Sequence, residues 1–331
     1  MSVLVTGGTG GIGSGVARLL LSKGYDVVVY DVSPLRPDNK VLAGFGKRLI
    51  DEVGSVTEMG RLIDVVKTHH VTGIIHLAGM LPPHMNNLRP IEALGVNVIG
   101  TATVLEIARV QELGPVIVAS AAGVMGRAKD VTTPRAEEDV TLPLVGIYPI
   151  SKLTGEQLVY TYRQLYQLNT TAVRPRNGYG PGTSYRVQPL YDVVYDAVAG
   201  KDVVRKAGGD ALFDYTYVKD LATGIVQLYE LKSRPPRHVY NLARGQGVTM
   251  AQVFEVVQKI FPQLRIRVGP GPWEGVVEGG RELDLTVYPA VMPLQDISRA
   301  REDFGFEPQW GIERGVADWV RWLRTGEYGE Y

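Results

Sequence analysis

Tyr148 and Lys152 stand four residues apart in the stretch Tyr148-Pro149-Ile150-Ser151-Lys152. On a helix that spacing puts both side chains on one face. Their types suit oxidation of an alcohol or reduction of a ketone. Oxidation needs a base for the hydroxyl proton while hydride leaves the carbon, and reduction needs the matching acid. A free phenol, with an ordinary pKa of about 10, is a poor base at neutral pH. A neighbouring ammonium favours the phenolate and lowers that value. A Tyr-x-x-x-Lys string also arises by chance as a surface pair on a helix, so its meaning depends on what surrounds it.

A second group of residues could hold a partner for such hydride chemistry. Thr6-Gly7-Gly8-Thr9-Gly10-Gly11-Ile12-Gly13 joins a short apolar run, Ser2 to Val5, to a segment of helical spacing, Ile12 to Lys23. Gly7 permits a tight turn off the strand, Gly10 lets the backbone approach a pyrophosphate, and Gly13 lets the helix pack closely. Thr9, Gly11 and Ile12 complete a loop whose N–H groups at the helix start face phosphates. Asp31 ends the next apolar run, eighteen residues after Gly13. A carboxylate there accepts hydrogen bonds from ribose hydroxyls and repels a 2′-phosphate, which favours NAD over NADP. Arg36 nearby keeps dual use open.

The elements that position these residues alternate along the first half. Asp26 to Tyr30 is an unbroken β-branched run, the pattern of a strand buried on both faces. Arg48 to Ile50, Gly73 to Leu77, Val116 to Ala119 and Thr170 to Val173 read as further strands. Glu58 to Lys67, Asn97 to Val110 and Tyr148 to Leu168 read as helices between them. This pitch predicts right-handed βαβ units and a doubly wound parallel sheet of the Rossmann type, in the α/β class. After Pro175 the turn-rich Asn177 to Gly182 breaks the alternation. We expect residues 1–178 to form a dinucleotide-binding domain to which about 214–244 returns, through the strand His238 to Ala243. About 179–213 and 245–331 would form a smaller substrate lobe, ending in an amphipathic helix, Ile312 to Arg324.

Taken together, Thr6-Gly-x-x-Gly-x-x-Gly13, His76-Leu77-Ala78-Gly79, Val96-Asn97-Val98-x-Gly100-Thr101, Tyr148-x-x-x-Lys152 and Arg174-Pro175-x-Asn177-x-Tyr179-Gly180-Pro181-Gly182 resemble the extended short-chain dehydrogenase/reductases. That group includes nucleotide-sugar epimerases and dehydratases and several plain dehydrogenases. The resemblance continues through Phe213 to Asp220, Val239 to Leu242 and Asp296 to Ala300. It implies that Leu77, Ala78 and Gly79 pass close to the cofactor, that Asn97 supports the active-site helix, and that Pro175 lines the nicotinamide pocket. It also implies that Ser55 and Val56 contact the adenine, Ser55 standing where the group often has Asp. A homodimer through the helices Asn97 to Val110 and Tyr148 to Leu168 is implied in the same way.

The sequence departs from that group in three places. The group's catalytic Ser or Thr falls at Ala121, with Ser120 one residue earlier. Side chains alternate along a strand, so Ser120 serves as the substrate-positioning hydroxyl only if a local bulge turns it; otherwise it is structural. The arginine that clamps a substrate diphosphate is replaced by Phe213, and a later arginine has no match near Val287. Arg176 stands where an apolar aromatic is common; it either binds a carboxylate or phosphate of a smaller substrate or makes a salt bridge at the lobe boundary. Asn177, Arg186 and His84, the last on a loop after the fourth strand, are further substrate candidates.

These residues predict an NAD-dependent oxidoreductase transferring hydride between nicotinamide and a secondary alcohol or ketone of a small sugar-like or hydroxylated substrate. The alternative is a nucleotide-sugar epimerase or dehydratase with tightly held NAD, and a third reading, prompted by Ala121, is a non-catalytic dinucleotide sensor. The 331-residue chain carries no cysteine and balances 35 Lys and Arg against 35 Asp and Glu. That argues against disulfides, a thiolate metal site, or a dedicated nucleic-acid or anionic-membrane partner. His69-His70 is not a metal-ligand spacing. Without a secretory pattern at the start or an apolar run of transmembrane length, the expected location is the cytoplasm.

Overall fold

The computed structural model describes residues 1–36, 38–81, 89–126, 130–144, 146–183, 188–273, 277–278, 281–282 and 293–331. The run Asp26–Asp31 forms strand β2, and its side chains alternate between two cores. Val27 and Val29 pack with helix α1 (Gly11–Ser22), while Val28 and Tyr30 pack on the opposite face with helix α2 (Met59–Thr68). A strand covered on both sides must be apolar throughout, which is why this run has no polar alternation.

The central strands β1 (Ser2–Thr6), β4 (Val71–His76) and β5 (Val116–Ala119) follow the same pattern, while β6 (Thr170–Pro175) also buries the polar Thr170, Thr171 and Arg174. With β3 at Leu49–Val53 and β11 at Val239–Leu242, the seven-stranded sheet runs β11-β6-β5-β4-β1-β2-β3, every neighbouring pair parallel. The chain thus forms a doubly wound α/β sheet of the Rossmann type. The order reverses between β1 and β4, which opens a crevice beyond the carboxyl ends of those two strands. The glycine loop leaves β1 and the Leu77 to Gly79 turn leaves β4 at that crevice.

Two elements differ from the sequence reading. Strand β3 runs Leu49–Val53, further than Arg48 to Ile50. It is the sheet edge, where Asp51 and Glu52 are tolerated, so apolarity alone marked its end too early. The helix through Asn97 starts at Pro90: α3 (Pro90–Leu94) passes through a π-turn, Gly95–Ile99, into α4 (Gly100–Val110). By length and hydropathy the Pro90–Val110 run could cross a membrane. Here its buried side chains Val104, Leu105, Ile107 and Ala108 belong to the core beneath the sheet.

Helix α5 (Ile147–Leu165) buries Ser151, Lys152, Gly155, Glu156, Val159 and Arg163, one face at helical spacing. The second half forms its own core. Short strands β7 (Gly178–Tyr179), β8 (Val203–Arg205), β9 (Leu212–Phe213) and β10 (Thr216–Tyr217) lie with α6 (Pro189–Val198), α8 (Met250–Ile260) and α10 (Ile312–Thr325) around Tyr179, Tyr191, Tyr215, Tyr217 and Trp319. Helix α7 (Val218–Tyr229) packs instead against α1, and α9 (Ser298–Phe304) against β11.

Candidate active site

The glycine loop is shaped by collisions that only glycine avoids. Gly7 has φ +68°, and a Cβ there would come within 2.7 Å of the Ala78 nitrogen. A Cβ on Gly13 would stand 2.1 Å from the Gly7 carbonyl oxygen, so the helix could not close onto the loop. Gly11 faces Thr183, which a Cβ would meet at 2.6 Å. Gly10 is different. A Cβ there would meet only the Gly7 oxygen, at 3.2 Å. The protein's own packing barely demands glycine at that position, whereas a backbone approached by a pyrophosphate does. Gly10 is also the N-cap of α1 and offers no side-chain cap, which leaves the helix start ready for an anion.

Asp31 ends β2 beside this loop. One carboxylate oxygen accepts from the Thr9 hydroxyl at 2.7 Å and the Thr9 N–H at 3.3 Å, and the other accepts from the Val32 N–H at 2.8 Å. The carboxylate is held in place yet keeps acceptor capacity for ribose hydroxyls. Asp31→Ala should therefore narrow the preference for NAD over NADP; titration of both cofactors measures it, and equal affinities in the parent would remove the argument. Val56 is buried where Gly100 leaves room, and Ser55 hydrogen-bonds locally with Thr57 and Glu58. Pro175 is the last residue of β6 and pairs with Leu242.

Tyr148 and Lys152 lie on the first turns of α5, with the Lys152 ammonium 5.9 Å from the Tyr148 ring centre. Lys152 donates to the Ala119 carbonyl at 2.9 Å, at the end of β5. Burial draws the Lys152 pKa down to about 8 and pushes the Tyr148 phenol well above its ordinary value. A Cβ on Gly79 would lie 3.1 Å from both the Lys152 ammonium and the Asn97 side-chain oxygen, so the glycine lets these groups converge. Asn97 accepts from the Met80 N–H at 2.8 Å, and its amide donates to the Met80 carbonyl at 3.1 Å and to the Ser151 hydroxyl at 3.0 Å.

Ser120 donates to Glu156 at 2.5 Å, and Arg174 forks the same carboxylate at 2.7 and 2.8 Å. All three are buried. Ala121 follows in extended backbone, without a hydroxyl. Phe213 is buried and stacks on Tyr215, ring centres 5.2 Å apart at 18°. Arg176 is buried just beyond β6, its N–H bonded to the Leu242 carbonyl. Burial pushes the nearby Asp214 carboxyl up to about 6, against the opposing pull of Arg176. The Asn177 side-chain oxygen accepts from Gln188 at 3.2 Å. His84 and Arg186 lie outside the described residues. Among the described residues no cluster has the make-up of a metal site, and His69 pairs with Glu52 at 2.9 Å.

Sequence reasoning did not single out His76, Thr101, Ser151, Glu156 or Arg174 as separate members of this site. Ser151 between the pair and Thr101 four residues after Asn97 were the available signals, since each shares a helical face with a residue already chosen.

The profile of the NAD dependent epimerase/dehydratase family matches residues 3–243. UDP-glucose 4-epimerase from Erwinia amylovora is 28% identical over 97% of this chain and 96% of its own length. UDP-glucuronate 4-epimerase 1 from Arabidopsis thaliana is 27% identical over 97% of this chain and 76% of its own. The crystal structure of UDP-glucose 4-epimerase from Bifidobacterium longum, in complex with NAD+ and UDP, superposes with a TM-score of 0.81 at 25% identity, covering 99% of this chain and 100% of that one.

Proposed function

The chain belongs to the NAD-dependent epimerase/dehydratase family, and from that premise we propose that it epimerises a hydroxyl-bearing carbon of a UDP-linked hexose or hexuronate without net change of redox state. It is an NAD-dependent enzyme of the extended short-chain dehydrogenase type. The observation that carries the reading is the convergence of Lys152 and Asn97 at Gly79 beside Tyr148, in a chain that epimerase relatives match over 97% of its length. Gly7, Thr9, Gly10, Gly13 and Asp31 would hold the dinucleotide, with Ile12, Ser55, Val56, Leu77, Ala78 and Pro175 around it. When bound, NAD supplies the acceptor and donor of hydride. Tyr148 takes and returns the hydroxyl proton, and Lys152 supplies the positive charge that favours its phenolate.

The test is incubation with UDP-glucose, UDP-galactose and UDP-glucuronate. We expect NAD to copurify and one sugar to interconvert with its epimer while NADH absorbance stays flat. Stoichiometric NADH formation would replace this reading with a second, a net dehydrogenase acting on a smaller sugar-like alcohol. One observation favours that second reading: the buried, stacked Phe213 offers no charge to a diphosphate.

We infer that residues 1–178 with 214–244 bind the dinucleotide and that 179–213 with 245–331 form the substrate lobe. A separate aromatic core around Tyr191 and Trp319 supports two packing centres, although that core also takes in Tyr215 and Tyr217, and Ile297, Ala300 and Phe306 pack with the sheet. We also infer a soluble, cytoplasmic homodimer. Ile91, Ile99 and Val110 on the Pro90–Val110 run and Ile150, Tyr160 and Leu165 on α5 are large exposed apolar residues that a second copy would cover.

A further inference from the structure

His76 ends β4 and is only 1% exposed, yet neither proton transfer nor cofactor binding has required it so far. Its two ring nitrogens are engaged on opposite sides. Nδ1 lies 2.7 Å from the Thr6 hydroxyl oxygen, and Nε2 lies 3.2 Å from the Thr101 hydroxyl oxygen.

The neighbours fix which nitrogen carries the proton. Thr101 donates its only hydroxyl proton to the Asn97 carbonyl at 2.7 Å, so it accepts from His76, and Nε2 is the protonated nitrogen. Thr6 accepts from the Ala78 N–H at 3.3 Å and uses its own proton on Nδ1. Every proton in this arrangement has one place, and each place requires a neutral imidazole. Burial and the nearby Lys152 ammonium agree, drawing the His76 pKa down to about 3.

The chain of bonds continues beyond Thr101. The Asn97 carbonyl belongs to the π-turn Gly95–Ile99. The Asn97 side chain holds both the N–H and the carbonyl of Met80, and its amide donates to the Ser151 hydroxyl. Ser151 in turn donates to the Tyr148 carbonyl at 2.8 Å. One continuous path therefore runs from Thr6, the residue before the glycine loop, to the backbone of the residue that moves the proton.

We propose that His76, as a neutral imidazole protonated on Nε2, is a positioning residue that ties the strand end carrying the dinucleotide loop to the π-turn of Asn97 and thereby sets where Tyr148 and Lys152 stand. The role rests on the hydride-transfer reading of Tyr148, although its structural half stands without it. A π-turn displaces one residue from the regular helical ladder. The His76 to Thr101 bond pins the helix immediately after that irregularity, where a small rotation would carry Asn97 away from Ser151. A misplacement of about 1 Å at a reacting group lowers rates by about a hundredfold.

Three measurements decide it. Nitrogen NMR of the protein labelled at its five histidines should show one ring with a protonated Nε2 and bare Nδ1 that does not titrate from about pH 5 to about pH 8. Protonated Nδ1, or ordinary titration of every ring, overturns the assignment. His76→Leu should lower kcat on the active UDP-sugar by about ten- to a hundredfold, the loss of one buried hydrogen-bonded link, with KM and copurified NAD little changed. His76→Gln, which keeps a donor near the Nε2 position, should recover most of that loss. Thr101→Val breaks the next link and should reproduce the Leu phenotype, which guards against a His76 variant that fails to fold.

Hydrogen exchange reads the same relay without substrate. In His76→Leu and Thr101→Val the amides of 95–101 and 147–152 should exchange faster, while those of β2 stay as in the parent. Unchanged exchange in α5, or a Gln variant no better than Leu, overturns the proposal. If the parent turns over none of the UDP-sugars, the functional reading fails, and exchange in α5 still decides whether His76 positions that helix.

Discussion

Tyr148→Phe should lower turnover by about 10²–10⁴-fold, the contribution of one positioned acid–base group, while NAD still copurifies. The phenol sits on the first turn of α5, and the glycine loop leaves β1, so removal of one oxygen leaves the cofactor cradle intact. Steady-state rates with measured NAD content separate the two effects. A large loss of bound NAD would instead mark Tyr148 as structural. Lys152 adds a pH signature. Burial destabilises its charged form and draws its pKa down to about 8, so the ammonium is present below that value and lost above it. The phenol, raised by its own burial, needs that cation to form the phenolate. Turnover should therefore stop rising, and then fall, as pH passes about 8. A profile that climbs well beyond that value would show that the ammonium does not set the reactivity of Tyr148.

The residues behind that prediction were legible in the sequence because their relations are local. Gly7, Gly10 and Gly13 lie within seven residues, Tyr148 and Lys152 within five, and β2 announces itself as an apolar run. What stayed hidden is what folding brings together from afar. His76 meets Thr6 across seventy residues and Thr101 across twenty-five. No periodicity encodes such contacts. The π-turn at Gly95–Ile99 was hidden for another reason: its composition is that of an ordinary apolar helix. Strand β3 was cut short because edge strands tolerate charge. Substrate identity is the least legible part, since the reading of a smaller alcohol rested on Phe213 and the unmatched arginine near Val287, while the relatives favour nucleotide-sugar epimerisation.

The largest expected effect on stability lies under the same helix. Arg174→Met should destabilise the fold by about 3–5 kcal/mol, because it leaves the Glu156 carboxylate buried and uncompensated. Against a total of about 5–15 kcal/mol for a typical protein, that is a severe loss. Arg174 and Glu156 are each 2% exposed and form a two-pronged pair joining β6 to α5, and Arg174 also donates to the Glu137 carbonyl at 2.8 Å. The double variant Glu156→Leu with Arg174→Met should be milder than either single change, since a buried ion pair and an apolar pair of similar volume are close in free energy. Denaturant titrations of the three variants measure this, and a double variant worse than Arg174→Met would show that the pair is a net source of stability. Ser120 is the third member, and its hydroxyl is already given to Glu156. We propose that it locks β5 to α5: Ser120→Ala should cost about 1–3 kcal/mol and leave kcat within a few-fold of the parent. A collapse of kcat with unchanged stability would return Ser120 to the substrate side of the site, and the missing hydroxyl at Ala121 would then have been replaced from one residue earlier.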